Sequence, residues 1–447
     1  MSSLPIELPR RTGSWTAGCV LVSNVIGAGV FTTTGFLARD LGDPALIMGL
    51  WLFGGLTALA GALSYSELGA ALPMAGGEYV YLRQAYGPLV AFLSGWSSLT
   101  VGFSAAIAAG SVGFAAYFVE MFQFGTVSAH ADKAFALILL WIVTAVHLTG
   151  SRSGGWLQRW LTGLNVGALL LFLMGAIVFG TGSWEHFTPD VRSTPGLGPI
   201  VVSFLFVSYA YCGWNAAVYI AGEVVEPGRA IPRSTIWGTL LVTLLYVAMN
   251  GVYFFALPIE VMAQPPLLPI AKKAAAALFG PMSAMVIAAI LCLSMASAVS
   301  AMVWAGPRIY YAMASDGLLP SLFAATSRRT GSPQTSILLQ SAWSSVLILS
   351  GTFEKLVIYG GVVLAILSAL AVAAVVVLRR KKPELARPYR VPLYPWVPAF
   401  YILVSVILVI YSMIERPVIS LLGLITILAG IPLYLVWTRQ PRLRPQA

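Results

Sequence analysis

Charged side chains are scarce in this sequence. Asp, Glu, Lys and Arg make up 9% of the 447 residues, whereas 58% are hydrophobic and the mean hydropathy is +0.85. Soluble domains carry about 25% charged residues, so the composition excludes an ordinary soluble protein. The chain is therefore expected to be an all-α polytopic membrane protein.

Cysteine and histidine are also rare, with three of each. Cys19, Cys212 and Cys292 all lie in apolar segments, which argues against a structural disulfide and offers no metal-ligand spacing. No metal and no cofactor are expected. A membrane-embedded enzyme would need a convergent nucleophile, base or metal site. His130 and His186 lie in predicted outer loops with no partner carboxylate pair, so enzymatic activity is not expected.

Long apolar segments dominate what is present. A helix that crosses a bilayer needs about 20 mostly apolar residues. By that criterion the sequence predicts twelve transmembrane helices, at about 13–38, 44–71, 86–121, 133–150, 156–181, 197–222, 233–257, 281–306, 335–351, 354–378, 396–414 and 418–437.

The net charge of +10 has a topological explanation. Most of the 26 lysines and arginines fall in loops on one side of the predicted spans, beginning with Arg10 and Arg11. The positive-inside rule then predicts that both termini are cytoplasmic. The expected location is the cell's inner (plasma) membrane, as a multi-pass protein. Nucleic-acid binding is rejected as the reason for the charge.

Two of the predicted helices contain a break at mid-depth. Helix 1 has SNVIGAGVF at 23–31, and helix 6 has YAYCGWN at 209–215. Five helices separate one break from the next, so two five-helix halves of opposite orientation are predicted at 13–181 and 197–378. Helices 11 and 12 at 396–437 and the tails 1–12 and 438–447 lie outside this repeat. Glycine also serves helix packing in membranes, but paired breaks in matching positions indicate a midplane binding site of a transporter.

Four stretches then resemble one family. They are IGAGVF at 26–31, YSELGAALPMAGGEYVYLRQAYGP at 65–88, AYCGWN at 210–215 followed by EPGRAIPR at 226–233, and KKPELARPYRVPLYP at 381–395. The sequence resembles the amino acid–polyamine–organocation superfamily, and within it the exchangers related to L-type transporter light subunits. The resemblance covers nearly the whole chain. It implies a LeuT-like fold of two inverted five-helix repeats, alternating access and an amino acid substrate.

The resemblance also implies how the two breaks bind a zwitterion. Unpaired N–H groups at the start of the second half of helix 1 would bind the substrate carboxylate at a positive dipole end. Carbonyls at the end of the first half of helix 6 would accept from the ammonium. Tyr209 matches the family's aromatic gate. The implied carboxylate contacts are Ile26, Gly27, Ala28, Gly29 and Val30, and the implied amine contacts are Tyr209, Ala210, Cys212 and Asn215.

The predicted side-chain pocket contains no charged residue. Phe103 and Ser104 of helix 3 and Val362 and Ala365 of helix 10 are expected to form it. An apolar pocket discriminates neighbouring side chains by only about 1 to 3 kcal/mol per methylene, so a range of neutral amino acids is expected. Cationic amino acids and polyamines are disfavoured, because a further buried ammonium would lack a partner.

The coupling mechanism departs from the family pattern. Several relatives carry a lysine on helix 5 in the place of a sodium ion, whereas this chain has Asn165 there. Ser294 and Ser297 on helix 8 could supply oxygens to a cation, although serines in helices more often bond to their own preceding turn.

The sequence thus predicts a secondary transporter that exchanges neutral L-amino acids. Proton- or sodium-coupled symport is the alternative. A scaffold subunit for a heavy chain would carry a cysteine in an outer loop, as eukaryotic light subunits do. The chain has none, so no disulfide-linked heavy chain is expected, and the expected partners are the amino acid and the lipid bilayer.

Overall fold

A computed structural model describes residues 9–27, 29–122, 129–188, 195–265, 270–327, 329–350 and 353–438. Helices make up nearly all regular structure in these ranges, where an isolated parallel bridge between Thr12 and Val224 is the only β-type pairing. The helices are α1 (Ser14–Val25), α2 (Gly29–Leu41), α3 (Pro44–Ala71), α4 (Glu78–Tyr86), α5 (Pro88–Ser97), α6 (Phe103–Met121), α7 (Ala129–Leu148), α8 (Ser151–Phe179), α9 (Leu197–Ala210), α10 (Ala216–Tyr219), α11 (Pro227–Ala256), α12 (Ile259–Met262), α13 (Ile270–Phe279), α14 (Ser283–Ala305), α15 (Pro307–Ser315), α16 (Gln334–Ser350), α17 (Phe353–Lys381), α18 (Trp396–Glu415) and α19 (Pro417–Thr438).

Every predicted span overlaps at least one of these helices. Within the described ranges, nine helical stretches are both long and apolar enough to cross a membrane. The predicted spans 133–150, 197–222 and 335–351 overlap α7, α9 with α10, and α16, which are not among those nine. The chain is an integral membrane protein, and the count of twelve crossings stays a prediction.

Both predicted interruptions are present. One helix stops at Val25 and the next begins at Gly29, while α9 stops at Ala210 and α10 begins at Ala216. Around these ends, α1 packs against α8, α10, α11 and α14, and α2 packs against α9. The two interruptions are therefore enclosed by other helices, which is the condition under which irregular backbone is tolerated at membrane depth.

The predicted span 86–121 is helical but not one continuous α-helix. Gly87, with φ +96°, separates α4 from α5, and Pro88 fills the first turn of α5, where a missing N–H costs nothing. A π-helical turn at Ser98–Gly102 then joins α5 to α6. Such turns insert an extra residue and change which side chains face inward.

Ion pairs connect segments at one end of the helix bundle, where α3, α15 and α17 have their C-termini. The carboxylate of Glu67 on α3 accepts hydrogen bonds from Nε and Nη2 of Arg379 at 2.9 and 2.6 Å and from the Val391 N–H at 2.7 Å. Asp316, directly after α15, accepts from the Tyr79 hydroxyl at 2.8 Å and pairs with Arg83 at 2.5 Å. Each carboxylate thus joins segments far apart in the sequence.

A third ion pair, between Arg308 and Glu223, is completely buried. The Nε of Arg308 donates to Glu223 Oε1 at 2.7 Å, and both side chains are about 2% exposed or less. Ser151 donates to the other carboxylate oxygen, and the main-chain carbonyl of Glu223 accepts from the N–H groups of Arg11 and Thr12. Glu223 therefore ties the segment before α1 to α8 and α15.

Removing the cation of this pair should destabilise the fold. Arg308→Met keeps the length of the side chain but leaves Glu223 charged and buried, so we expect a loss of about 3 to 5 kcal/mol in the free energy of unfolding. Thermal denaturation of the purified protein in detergent measures the loss. The control is Arg229→Met, because Arg229 is exposed. Equal melting temperatures for the two variants would contradict the prediction.

Candidate functional site

The first interruption leaves helix ends of opposite polarity close together. The Ile26 N–H bonds to the Val22 carbonyl at 2.9 Å and the Gly27 N–H to the Val25 carbonyl at 2.8 Å, which closes α1. The first-turn N–H groups of α2, from Gly29 onward, have no partner within their own helix. They form a positive helix end directed at the interruption.

The second interruption is a tight turn that only glycine can make. After α9, the Tyr211 N–H bonds to the Val207 carbonyl and the Cys212 N–H to the Tyr209 carbonyl. Gly213 has φ +107°, and a Cβ there would approach Asn24 to 3.0 Å. The turn therefore packs against α1 at a position that no side chain could occupy without strain.

The two interruptions touch each other. A Cβ on Gly29 would come within 2.6 Å of the Ala210 Cβ and 2.7 Å of its Cα. Tyr246 of α11 joins them, because its hydroxyl lies 2.6 Å from the Val25 carbonyl and 3.1 Å from the Ala210 carbonyl. The end of α1 and the end of α9 thus share one donor.

Tyr246 was not a candidate from the sequence. It lies within the apolar helix α11, which continues past it without interruption. The one available signal was its hydroxyl, since a buried Tyr in an apolar span needs a hydrogen-bond acceptor.

A cavity of about 360 Å³ adjoins both interruptions. Its charged lining residues lie at its two ends, with Arg39 and Arg416 at one and Glu78 at the other. The Arg39 side chain is 50% exposed, whereas Glu78 is 2% exposed. The cavity is therefore reached from the end where α2 and α18 finish and is closed at the end where α4 begins.

The expected backbone site meets this cavity. Gly27 and Gly29 line it, as do all four expected amine contacts, Tyr209, Ala210, Cys212 and Asn215. Ile26 and Val30 have fully buried side chains outside the lining, and Ala28 lies outside the described residues.

Asn215 has a distinct orientation in this wall. Its Nδ2 donates to the Tyr219 hydroxyl at 3.0 Å. No donor among the described residues reaches its Oδ1, which is left as an acceptor on a half-buried side chain of the cavity. The side chain is thus set to accept a hydrogen bond from an occupant.

The expected side-chain pocket is formed in part by other residues. Phe103 and Ala365 line the cavity, but Ser104 and Val362 are buried behind its wall. Residues three and four apart share a helix face, so Phe103 is joined by Ala106 and Gly110, and Ala365 by Gly361 and Leu364. Ser104 and Val362 fall on other faces of the same helices.

The three residues expected at a cation-site equivalent do lie together, next to α1. Ser294 of α14 donates to Asn165 Oδ1 of α8 at 2.6 Å. Ser297 lies 2.6 Å from Ser23, which in turn lies 2.5 Å from Thr162. These contacts connect α1 to α8 and α14 by neutral hydrogen bonds. No group of His, Cys, Asp and Glu in the described part of the chain could hold a metal ion.

A cavity between two interrupted helices of a polytopic membrane protein defines the chain as a membrane transporter. Residues 13–436 match the family described as amino acid permease, and the chain belongs to that family. Its curated relatives are transporters. The chain is 28% identical to the "Asc-type amino acid transporter 1" of Mus musculus, over 98% of this chain and 83% of that protein.

Two further relatives align over 98% of this chain. The "Large neutral amino acids transporter small subunit 2" of Oryctolagus cuniculus is 29% identical, with 82% of its length covered. The "Cystine/glutamate transporter" of Homo sapiens is 26% identical, with 87% covered. The expected resemblance to the L-type-like branch of the superfamily is confirmed, and the comparisons support amino acid transport.

Adding one methyl group at Gly29 should disrupt the contact between the two interruptions. Gly29→Ala should displace α2 from α9, because the new Cβ would collide with the main chain of Ala210, and transport should be lost. Gly163→Ala is the control, since Gly163 is exposed on α8, away from the cavity lining, and its Cβ would meet nothing within 4 Å. Uptake of labelled amino acid into proteoliposomes measures both. Equal activity of the two variants would refute the contact's role.

The shared donor should matter in the same assay. Tyr246→Phe leaves the Ala210 carbonyl without a donor and leaves the Val25 carbonyl with the Gly27 N–H alone. An unsatisfied buried group costs about 1 to 3 kcal/mol, so kcat/KM should fall about tenfold or more. Tyr253→Phe is the matched control, because the Tyr253 hydroxyl is buried on the same helix, seven residues further on, with no hydrogen-bond partner. A Tyr246→Phe protein as active as Tyr253→Phe would count against the bridge.

Proposed function

We propose that the protein exchanges neutral L-amino acids across the plasma membrane by alternating access. The observation that carries this proposal is the contact of two interrupted helices beside a cavity whose middle has no charged side chain. We also propose the LeuT-like arrangement, with inverted repeats at 13–181 and 197–378, helices 11 and 12 at 396–437, and cytoplasmic tails at 1–12 and 438–447.

The substrate carboxylate binds at the start of α2 in this proposal. The N–H groups of Gly29 and Val30 lie at the positive end of that helix, and Gly27 and Gly29 line the cavity. A helix N-terminus binds an anion through its free N–H groups and its dipole. No arginine is then required at this position.

The substrate ammonium binds at the end of α9. The last carbonyls of a helix carry partial negative charge, and Tyr209, Ala210 and Cys212 at the end of α9 line the cavity. The Ala210 carbonyl accepts one hydrogen bond in the structure, from the Tyr246 hydroxyl, which leaves it a second lone pair. The free Oδ1 of Asn215 adds a side-chain acceptor.

Selectivity for neutral side chains follows from where the charges lie. Arg39, Arg416 and Glu78 are at the ends of the cavity, and Phe103, Ala106 and Ala365 are in its wall. A charged substrate side chain at the middle would be desolvated without a partner. Tyr209 is the proposed gate, because its ring lies in the wall against Gly361, whose position leaves room for it to move.

Cation-coupled uptake is the second candidate. The residues next to α1 that favour it, Asn165, Ser294 and Ser297, carry oxygens but no charge. In the structure these groups hydrogen-bond to one another and to Ser23, which already stabilises the end of α1 without an ion. Exchange is therefore the preferred function.

The protein is proposed to work without a disulfide-linked heavy chain. Its cysteines lie in α1, in the second interruption and in α14, and all three thiols are free. A relative is named as a small subunit, so purified protein without any partner is the required material for the test.

Counterflow in proteoliposomes made from the purified chain tests the proposal. Unlabelled neutral L-amino acids inside should accelerate entry of a labelled one, whereas internal glutamate or lysine should not. Gly29→Leu is the inactive control. Failure of every neutral amino acid to accelerate entry would refute exchange, and uptake driven by an imposed sodium or proton gradient into empty liposomes would support the second candidate.

A further inference from the structure

One buried carboxylate in the described part of the chain has no cationic partner. Glu67, Glu223 and Asp316 are each paired with an arginine, whereas Glu78, which begins α4, is 2% exposed and forms no ion pair. A buried carboxylate without a counter-charge is costly in its ionised form. A structural ion pair therefore does not explain why a carboxyl group is buried at this position.

Only neutral groups surround Glu78. Tyr65 of α3 donates to its Oε2 at 2.9 Å, and Ser94 of α5 donates to its Oε1 at 3.2 Å. The other titratable groups that interact with it are the hydroxyls of Tyr219 on α10, Tyr401 on α18 and Tyr81 on its own helix. The cations on α4 and on the helices packed against it have other partners in the described structure. Arg83 pairs with Asp316, Arg308 of α15 with Glu223 and Arg379 of α17 with Glu67, and Lys381 and Lys382 bond to Ala85 and Gln84 near the other end of α4.

Glu78 also lines the cavity, at its closed end. Helix α4 and the turn before it close that end. The Gly76 N–H of the turn bonds to the Tyr219 carbonyl at 3.1 Å, and Tyr79 and Arg83 of α4 contact Asp316. Opening this end requires α4 to separate from α10 and α15. Water would then reach Glu78, which the closed arrangement keeps dry.

We propose that Glu78 is a proton-binding site, and that its protonation stabilises the conformer in which the α4 end of the cavity is closed. This inference rests on the proposed alternating-access function. It assigns a proton, rather than a metal ion or a second ammonium, because the five surrounding groups are hydroxyls and the described site has no second carboxylate.

The direction of the effect follows from linkage. Burial raises the pKa of the Glu78 carboxyl in the closed conformer, and the hydrogen bonds from Tyr65, Ser94 and Tyr219 only oppose that rise. In a conformer open to water the pKa would lie near its usual value. The closed conformer therefore binds the proton more tightly, so it gains population as the pH falls and loses population as the pH rises.

A short chain of hydrogen bonds connects this proton to the proposed amine site. Asn215 donates to the Tyr219 hydroxyl, which interacts in turn with the Glu78 carboxylate. The charge on Glu78 can thereby influence which way Asn215 presents its Oδ1 to the ammonium. Protonation and substrate binding would then bias the same conformational equilibrium.

Hydrogen–deuterium exchange of the α4 segment tests the proposal in the purified full chain. After correction for the intrinsic pH dependence, exchange of the α4 amides in the unmodified protein should increase by up to about tenfold per pH unit as Glu78 ionises. In Glu78→Gln the segment should stay protected, with no pH dependence. The same pH dependence in both proteins would overturn the proposal.

Asp316→Asn is the matched control, since it removes the other carboxylate that holds α4. It should reduce protection at every pH but leave the pH dependence in place, and loss of that dependence would also overturn the proposal. If Glu78→Gln does not fold, Glu78→Asp must retain a pH dependence with a shifted midpoint. Counterflow by the unmodified protein distinguishes the two proposals. If counterflow is absent, amino acid exchange is refuted, whereas the hydrogen–deuterium result for α4 still holds.

Discussion

Satisfying the main chain where α1 and α9 stop inside the membrane is the constraint on which the rest of the structure depends. Lipid offers no hydrogen bonds, so each free N–H and carbonyl must find a partner in the protein or in a bound molecule. The structure meets this need partly by itself, because the Tyr246 hydroxyl reaches both the Val25 and Ala210 carbonyls. The groups that remain free face a cavity, and a zwitterion offers them complementary charges.

The charge distribution follows from the same constraint. Charged pairs such as Glu223 with Arg308 lie at one end of the bundle, where they join the segment before α1 to α8 and α15. The middle of the cavity is neutral, since a charge there would be desolvated without a partner. Glu78 lies between these two regions. It is buried like the residues at the middle of the cavity, but it can ionise like the residues at the end of the bundle, and it therefore couples closure of the cavity to proton binding.

Several features of the fold and site were predictable because they depend on local composition. The breaks at 23–31 and 209–215 were visible as glycines and polar residues within apolar segments, and both are present. The lining by Gly27, Gly29, Tyr209 and Asn215 followed from them. Ser104 and Val362 were misplaced relative to the cavity wall, because the facing of a helix depends on its rotation in the bundle and on the π-helical turn at Ser98–Gly102.

The sequence by itself determined the class of the protein, the positions of its apolar helices and the two interruptions, because hydropathy and helix-weakening residues act locally along the chain. Only the tertiary structure decided that Gly29 meets Ala210, that Tyr246 bridges both helix ends, and that Glu223 pairs with Arg308. It also decided that Glu78 lacks the arginine that Glu67 and Asp316 have. Such partners are tens to hundreds of residues apart, and they meet only because helix packing in three dimensions brings distant segments into contact.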